Sequence, residues 1–252
     1  MEYFSGFTDA LRITFVQMMI IAIIAIMIFL YGMIINMRKW GLGSTGYGLE
    51  PSSGSAIVFL KTLIAQIRSK GHGQPFLTTL VLDIILQRRI LRRSPLRWFM
   101  HITIFVGWMA LFIISLIMFA FEVLELIGFD ANPAALREMV SVPNDVFSYI
   151  LLVGLTIAIL RRLFITNIRE NTIALDSILL IGLTLITITG FISDGIRNGT
   201  FWGFGFENSI APPAALFHVV ISLLFCIAYI PYSKYMHMLA TPLTILANKG
   251  GE

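Results

Sequence analysis

Residues 217–238, FHVVISLLFCIAYIPYSKYMHM, form an apolar run that contains two of the chain's four histidines, His218 and His237. The 19 positions between them, laid out as continuous α-helix, cover about 28 Å. That is close to the ~30 Å thickness of a bilayer's hydrocarbon core. Read as one membrane-crossing helix, the run places an ionisable ring near each face. Ionisable side chains are costly in hydrocarbon and persist there with a partner, so an intramembrane histidine marks a functional site. Register complicates the picture, because at about 100° per residue 19 positions turn the two rings about 100° apart. Pro231 lies six residues before His237 and removes a backbone hydrogen bond. A kink or π-bulge there realigns the rings, whereas a plain proline kink leaves their faces unrelated.

The composition around this run excludes a soluble globular protein. Of 252 residues, 57% are hydrophobic and 13% charged, and the mean hydropathy is +0.86. Such a chain is predicted to be an all-α, multi-pass cell-membrane protein. Five stretches are long and apolar enough to span: about 13–37, 98–126, 146–164, 173–192 and 214–239. Residues 132–143 and 193–213 read as connections containing Pro, Gly and Asn. With the N-terminus outside, the inner side receives fifteen Lys and Arg, and the outer side keeps three: Arg12, Arg137 and Arg197. This asymmetry predicts a five-helix bundle with its N-terminus outside. The acidic, aromatic start MEYFSGFTDALR, followed by a long apolar run, argues against a cleavable signal. One cysteine, Cys226, in mid-span builds neither a disulfide framework nor a cysteine-ligated cluster. Iron–sulfur chemistry is therefore expected on a partner, and no nucleic-acid partner is expected. The whole of 1–252 reads as a single integral-membrane domain.

The orientation makes 38–97 a cytoplasmic loop far longer than a helix connection needs. After the Gly-rich GLGSTGYGLEPSSG, the segment SAIVFLKTLIAQIRSK places Ile57, Leu60, Leu63, Ile64 and Ile67 at helical spacing against Lys61, Arg68 and Lys70. A second segment, FLTTLVLDIILQRRILRR, has the same mixed character and ends in a basic cluster. Two amphipathic helices lying on anionic inner-leaflet lipid account for this pattern. A docking platform for a soluble partner accounts for it equally, and the two readings are compatible.

His101 follows the basic RRSPLRW by a few residues, near the cytoplasmic end of the second span, and His237 lies near the cytoplasmic end of the fifth. Two histidines at matching depth on different helices are what bis-imidazole ligation of a b-type haem requires. Isolated histidines hydrogen-bonded to neighbouring helices are the plainer alternative. His218 lies toward the outer face. His72, in the cytoplasmic loop, is on the wrong side to partner it. Met118, 17 residues beyond His101, reaches a suitable depth for an axial ligand, although methionine in a span more often packs than ligates. His218 thus holds a second haem with a weak or open sixth position, hydrogen-bonds a lipophilic electron carrier, or is structural. Candidate proton acceptors near the outer face are Glu122, Asp194 and Glu207, with Arg197 as an orienting charge. Each has a plainer reading as the solvated end of a span.

RSPLRWFMHITIFVGWMALF and FHVVISLLFCIAYIPYSKYMHMLATP resemble the cytochrome b subunits of the respiratory nitrate reductase gamma-subunit family and its sulfite and heterodisulfide reductase relatives. In that pattern the second and fifth spans carry two histidines each. His101 matches the first of the second-span pair, and His218 and His237 match the fifth-span pair. The remaining position falls at about Leu111, which cannot ligate iron, so the departure touches the outer haem and leaves the inner one. The start MEYFSGFTDALR, the loop GLGSTGYGLEPSSG and the end LANKGGE extend the likeness over the full length. There the chain resembles the cytochrome b family of membrane-bound heterodisulfide reductases in methanogenesis, their E subunits. The resemblance implies one or two haems b and oxidation of reduced methanophenazine, the electron donor, near His218. It implies electron delivery through the His101/His237 haem to a cytoplasmic iron–sulfur partner, the D subunit, which reduces the coenzyme M–coenzyme B heterodisulfide. Protons released outside would contribute to a gradient.

Three other readings carry distinguishable signatures. A transporter is opposed by the absence of internal repeats and of broken-helix pairs with mid-span acids. A haem-free membrane anchor predicts a colourless protein. A quinol-oxidising cytochrome b subunit of a nitrate- or sulfite-type reductase keeps the same histidines and differs in partner and carrier.

Overall fold

A computed structural model of the chain describes residues 8–41, 55–68, 76–197 and 210–247. Those residues are predominantly helical, with no strand among them. Five helices among them are long and apolar enough to cross a membrane: Asp9–Trp40, Pro95–Leu126, Pro133–Phe164, Ala174–Arg197 and Ala211–Ala228. Large apolar side chains such as Ile20, Met27, Leu30, Ile181 and Phe217 stand exposed along them. An apolar surface of that extent suits lipid rather than water.

Local chemistry explains where the helices begin and end. Helix α1 (Asp9–Gly41) has Asp9 in its first turn and Arg38 and Lys39 in its last, complementing the helix dipole at both ends. Helix α5 (Pro95–Leu126) is capped by Ser94, whose side chain accepts the Arg97 N–H, and opens on Pro95. Proline suits that first position because its missing N–H has no intrahelical partner there. Helix α6 (Pro133–Phe164) repeats the device, with Asn132 capping Ala135 and Pro133 opening the helix. Asn132 sits in the left-handed region at φ 45°, which asparagine tolerates. The turn before it is tied down by Glu125, whose carboxylate accepts the Ala131 N–H at 2.8 Å and the Asn132 N–H at 3.1 Å. These caps correct the expectation that 132–143 is a connection. The segment forms the first turns of α6, and Pro143 lies inside the helix.

The contacts divide the chain into two compact units, residues 1–18 with 90–219 and residues 19–89 with 220–252. In the first unit α5 lies against α6, and α6 against α8 (Ala174–Arg197). The α5–α6 approach depends on Gly107 and Gly154. A Cβ on Gly107 would meet Leu151 at 2.8 Å, and one on Gly154 would meet Thr103 Oγ1 at 2.5 Å and the Ile104 backbone nitrogen at 2.9 Å. Small residues that admit close backbone contact are the usual basis of helix association where no hydrophobic drive exists. Tyr149 on α6 packs on Phe191 of α8, ring centroids 5.0 Å apart. Thr184 and Thr187 satisfy their hydroxyls on the Leu180 and Leu183 carbonyls one turn back, at 2.7 and 2.8 Å.

The second unit contains α2 (Ala56–Arg68), the short α3 (Phe76–Thr78) running into a π-helical stretch Thr79–Ile85, and α10 (His237–Ala247). Trp40 packs on Phe59 of α2, centroids 5.7 Å apart, and α10 lies against both the π stretch and α2. The first expected loop helix is present. The second is not continuous: the π stretch ends at Ile85, Gln87 takes a φ of 51°, and α4 (Arg88–Arg93) follows. Thr79, Asp83 and Gln87 are buried, and Asp83 draws the Arg88 Nε–H to 3.2 Å. This segment therefore presents a buried polar row at four-residue spacing, where an apolar face was expected.

The fifth span also departs from expectation. Helix α9 (Ala211–Leu223) passes into a π turn at Leu224–Ala228, then 3-10 turns at Ile230–Tyr232 and Lys234–Met236, before α10 begins at His237. His218 and His237 are thus not on one continuous helix, and the 28 Å estimate of their separation no longer applies. Both expected devices at Pro231 occur, a π turn before it and a break at it. The freed Pro231 carbonyl accepts the Asn36 side-chain amide at 2.7 Å, and the same amide reaches the Gly32 carbonyl at 3.1 Å.

Candidate functional site

His218 lies in the second turn of α9, which opens on Ala211, Pro212 and Pro213. Its Nδ1 is 3.0 Å from the Thr189 hydroxyl of α8. That hydroxyl donates its single proton to the Ile186 carbonyl at 3.0 Å. Toward His218 it can therefore only accept, so Nδ1 carries the proton and Nε2 the lone pair. The neighbouring Gly190 leaves room for the ring. A Cβ there would stand 3.1 Å from Cε1, tighter than a side chain allows without moving the imidazole.

His237 engages its Nδ1 by another route. It opens α10 after the turn that Ser233 caps, and its Nδ1 contacts the Lys234 carbonyl. A carbonyl only accepts, so Nδ1 is again the donor in this contact. Buried Tyr235, two residues earlier, is 1% exposed and anchors the turn. His101 stands half-buried in the second turn of α5. Helical spacing continues its face through Phe105, Trp108 and Phe112. Trp108 is buried and stacks on Phe112, with centroids 5.1 Å apart and planes 7° apart. The face beyond His101 is aromatic.

These residues suit a particular kind of metal group. Among the described residues no three His, Cys, Asp or Glu side chains gather as a metal site. A porphyrin brings four of its own nitrogen ligands and asks the protein for axial ones alone. Metal-ligating histidines characteristically donate the other ring N–H to a carbonyl or similar acceptor, as His218 and His237 do. The aromatic face beyond His101 suits a flat macrocycle.

The other candidates fall in different places. Met118 is half-buried on α5, one turn before Glu122. Glu122 is buried and forms an ion pair with Arg137 on α6, an arginine whose only legible role in the sequence was in the charge asymmetry. Asp194 and Arg197 pair at 2.5 Å across one turn of α8. Glu207 and His72 lie outside the described residues. Thr189 and Gly190 do not stand out in the sequence. Their one signal is a Thr-Gly step within the fourth span.

The profile of the family described as the E subunit of dihydromethanophenazine:CoB–CoM heterodisulfide reductase matches residues 77–245. The chain belongs to this family. Relatives of the same description include those of Methanosarcina mazei, 62% identical over 100% of both chains, and Methanosarcina acetivorans, 61% identical over 100% of this chain and 98% of its own. That of Methanosarcina thermophila is 60% identical with the same coverage. No solved structure matches. Membership of this family makes the chain a component of an oxidoreductase complex with partner subunits, and the matched region contains His101, His218 and His237.

Proposed function

We propose that this chain is the membrane haem b subunit through which a heterodisulfide reductase oxidises dihydromethanophenazine and supplies electrons to a cytoplasmic iron–sulfur partner, the D subunit. The observation that carries the reading is the shared engagement of Nδ1 in His218 and His237 by a polar neighbour. In each, Nδ1 meets a polar neighbour, the Thr189 hydroxyl or the Lys234 carbonyl, and Nε2 is the ring nitrogen assigned to iron. When bound, a b-type haem supplies a one-electron couple that no side chain of this composition provides. His101 and His237 are assigned to the inner haem. His218 is assigned either to an outer haem, with Met118 as a candidate sixth ligand, or to the carrier. The positive-inside asymmetry supports an outer position for His218, where a lipophilic two-electron donor would release its protons. Asp194, held by Arg197 at 2.5 Å, and Glu122, held by Arg137, are candidate carboxylates to take them.

The decisive test is a haem-to-protein ratio with low-temperature EPR on the complex purified with its partner. Two haems, one low-spin and one high-spin, support a bis-histidine inner site and His218 as a lone axial ligand. One low-spin haem leaves His218 to the carrier, and none makes the chain a membrane anchor. His101→Ala and His237→Ala are each expected to abolish the low-spin signal. Its survival in both variants refutes the assignment.

A further inference from the structure

The C-terminal end of α6 contains a cation, Arg161, without a counter-charge among the described residues. Arg161 Nη1 donates to the Met100 thioether sulfur of α5 at 3.5 Å, a weak acceptor. The Nε of Arg161 is buried and has no hydrogen-bond partner among the described residues. The described ion pairs of this unit are Glu122 with Arg137 and Asp194 with Arg197, and none includes Arg161. The neighbouring Arg162 also has a buried Nε without a partner among those residues, while its Nη1 reaches the Ala158 carbonyl of its own helix at 3.3 Å. Guanidinium groups withdrawn from water at a span boundary are costly unless an anion accepts their N–H groups. A planar carboxylate matches that fork best.

Met100 precedes His101 on α5, so the under-satisfied guanidinium is anchored one residue from a proposed haem ligand. We propose that Arg161 is a haem-binding residue whose guanidinium pairs with a carboxylate of the group held at His101. The proposal rests on the haem reading above and adds to it the residue that orients the macrocycle about its iron–nitrogen axis. Imidazole ligation alone leaves a haem free to rotate about that axis, and a charge-assisted bond at its edge fixes the angle. A cation at the edge also disfavours the ferric state, so its loss lowers the midpoint potential.

The test uses the complex in nanodiscs and reads haem retention and midpoint potential, not turnover. Arg161→Gln is expected to lose haem faster on detergent dialysis than the wild type and to shift the low-spin haem to a lower potential. Arg161→Lys keeps the charge but not the fork, so the potential should stay near the wild-type value while haem loss is still accelerated. If Arg161→Gln does not fold, release from Arg161→Lys decides alone, and wild-type release there overturns the proposal. Unchanged retention and potential in Arg161→Gln overturn it as well. His101→Ala separates the two layers. If that variant keeps the low-spin haem, the assignment of His101 itself fails. If it loses the haem while Arg161→Gln behaves as wild type, only the role of Arg161 fails. A phospholipid phosphate is the competing anion. A wild-type-to-Arg161→Gln difference that persists in purely zwitterionic nanodiscs supports the haem carboxylate, and one that requires anionic lipid refutes it.

Discussion

At the scale of single residues, the informative contacts are those that decide which nitrogen of a histidine holds its proton. Thr189 does so for His218 because its own proton is committed to the Ile186 carbonyl. Replacing it by valine keeps the shape and removes the acceptor, leaving Nδ1–H unsatisfied inside a span. Interhelical hydrogen bonds between membrane helices contribute about 0.6 kcal/mol on average and up to about 1.7 kcal/mol. Thr189→Val is expected to destabilise the protein by about that range in a denaturing-detergent titration, and Thr189→Ser by close to zero. A loss in Thr189→Ser with none in Thr189→Val would mean that the threonine methyl, and not the hydroxyl, is what matters. None of this was legible in the sequence. A threonine in an apolar helix normally bonds back to its own helix, as Thr184 and Thr187 do, and nothing in the one-dimensional pattern singles out Thr189, 29 positions from His218.

At the scale of elements, the five spans were legible because hydrophobic length is a strong signal, and their boundaries were legible only where a cap or a break was decisive. Ser94-Pro95 and Asn132-Pro133 are strong helix starts. Pro143 obscured the second of these by suggesting a connection that the helix passes straight through. The apolar run 217–238 concealed a break because Ile230 and Tyr235 are buried on either side of Pro231. Their hydropathy reads as continuous although the backbone does not. Packing between α5 and α6 gives the sharpest expectation at this scale. A methyl group added at Gly154 meets the backbone of Ile104 as well as Thr103, and backbone cannot rotate away. Gly154→Ala is expected to cost about 1–3 kcal/mol by overpacking, whereas Gly128→Ala meets no atom within 4 Å and is strained by its left-handed φ of 96° instead. Reversible unfolding in mixed micelles measures the Gly154 cost, and a neutral Gly154→Ala would show that the α5–α6 approach is looser than its geometry.

At the scale of the whole molecule, the charge asymmetry bears on which way electrons and protons move. Fifteen Lys and Arg on one side against three on the other favour a topology with the loop 38–97 and the C-terminus together, on the side where a soluble iron–sulfur partner is available. The same rule puts the α5–α6 turn and the Asp194–Arg197 pair on the opposite side, where protons from a lipophilic donor add to a gradient instead of being consumed. Cysteine accessibility tests this directly, because Cys226 is the single native thiol and Cys226→Ser gives a blank background. In sealed vesicles of native orientation, Asp130→Cys, exposed in the α5–α6 turn, is expected to react with a membrane-impermeant maleimide. Ser55→Cys, just before α2, is expected to react only after permeabilisation. The reverse result would place the carrier-side acids on the partner's face. Proton release would then cancel proton uptake, and this subunit could carry electrons without contributing to a gradient.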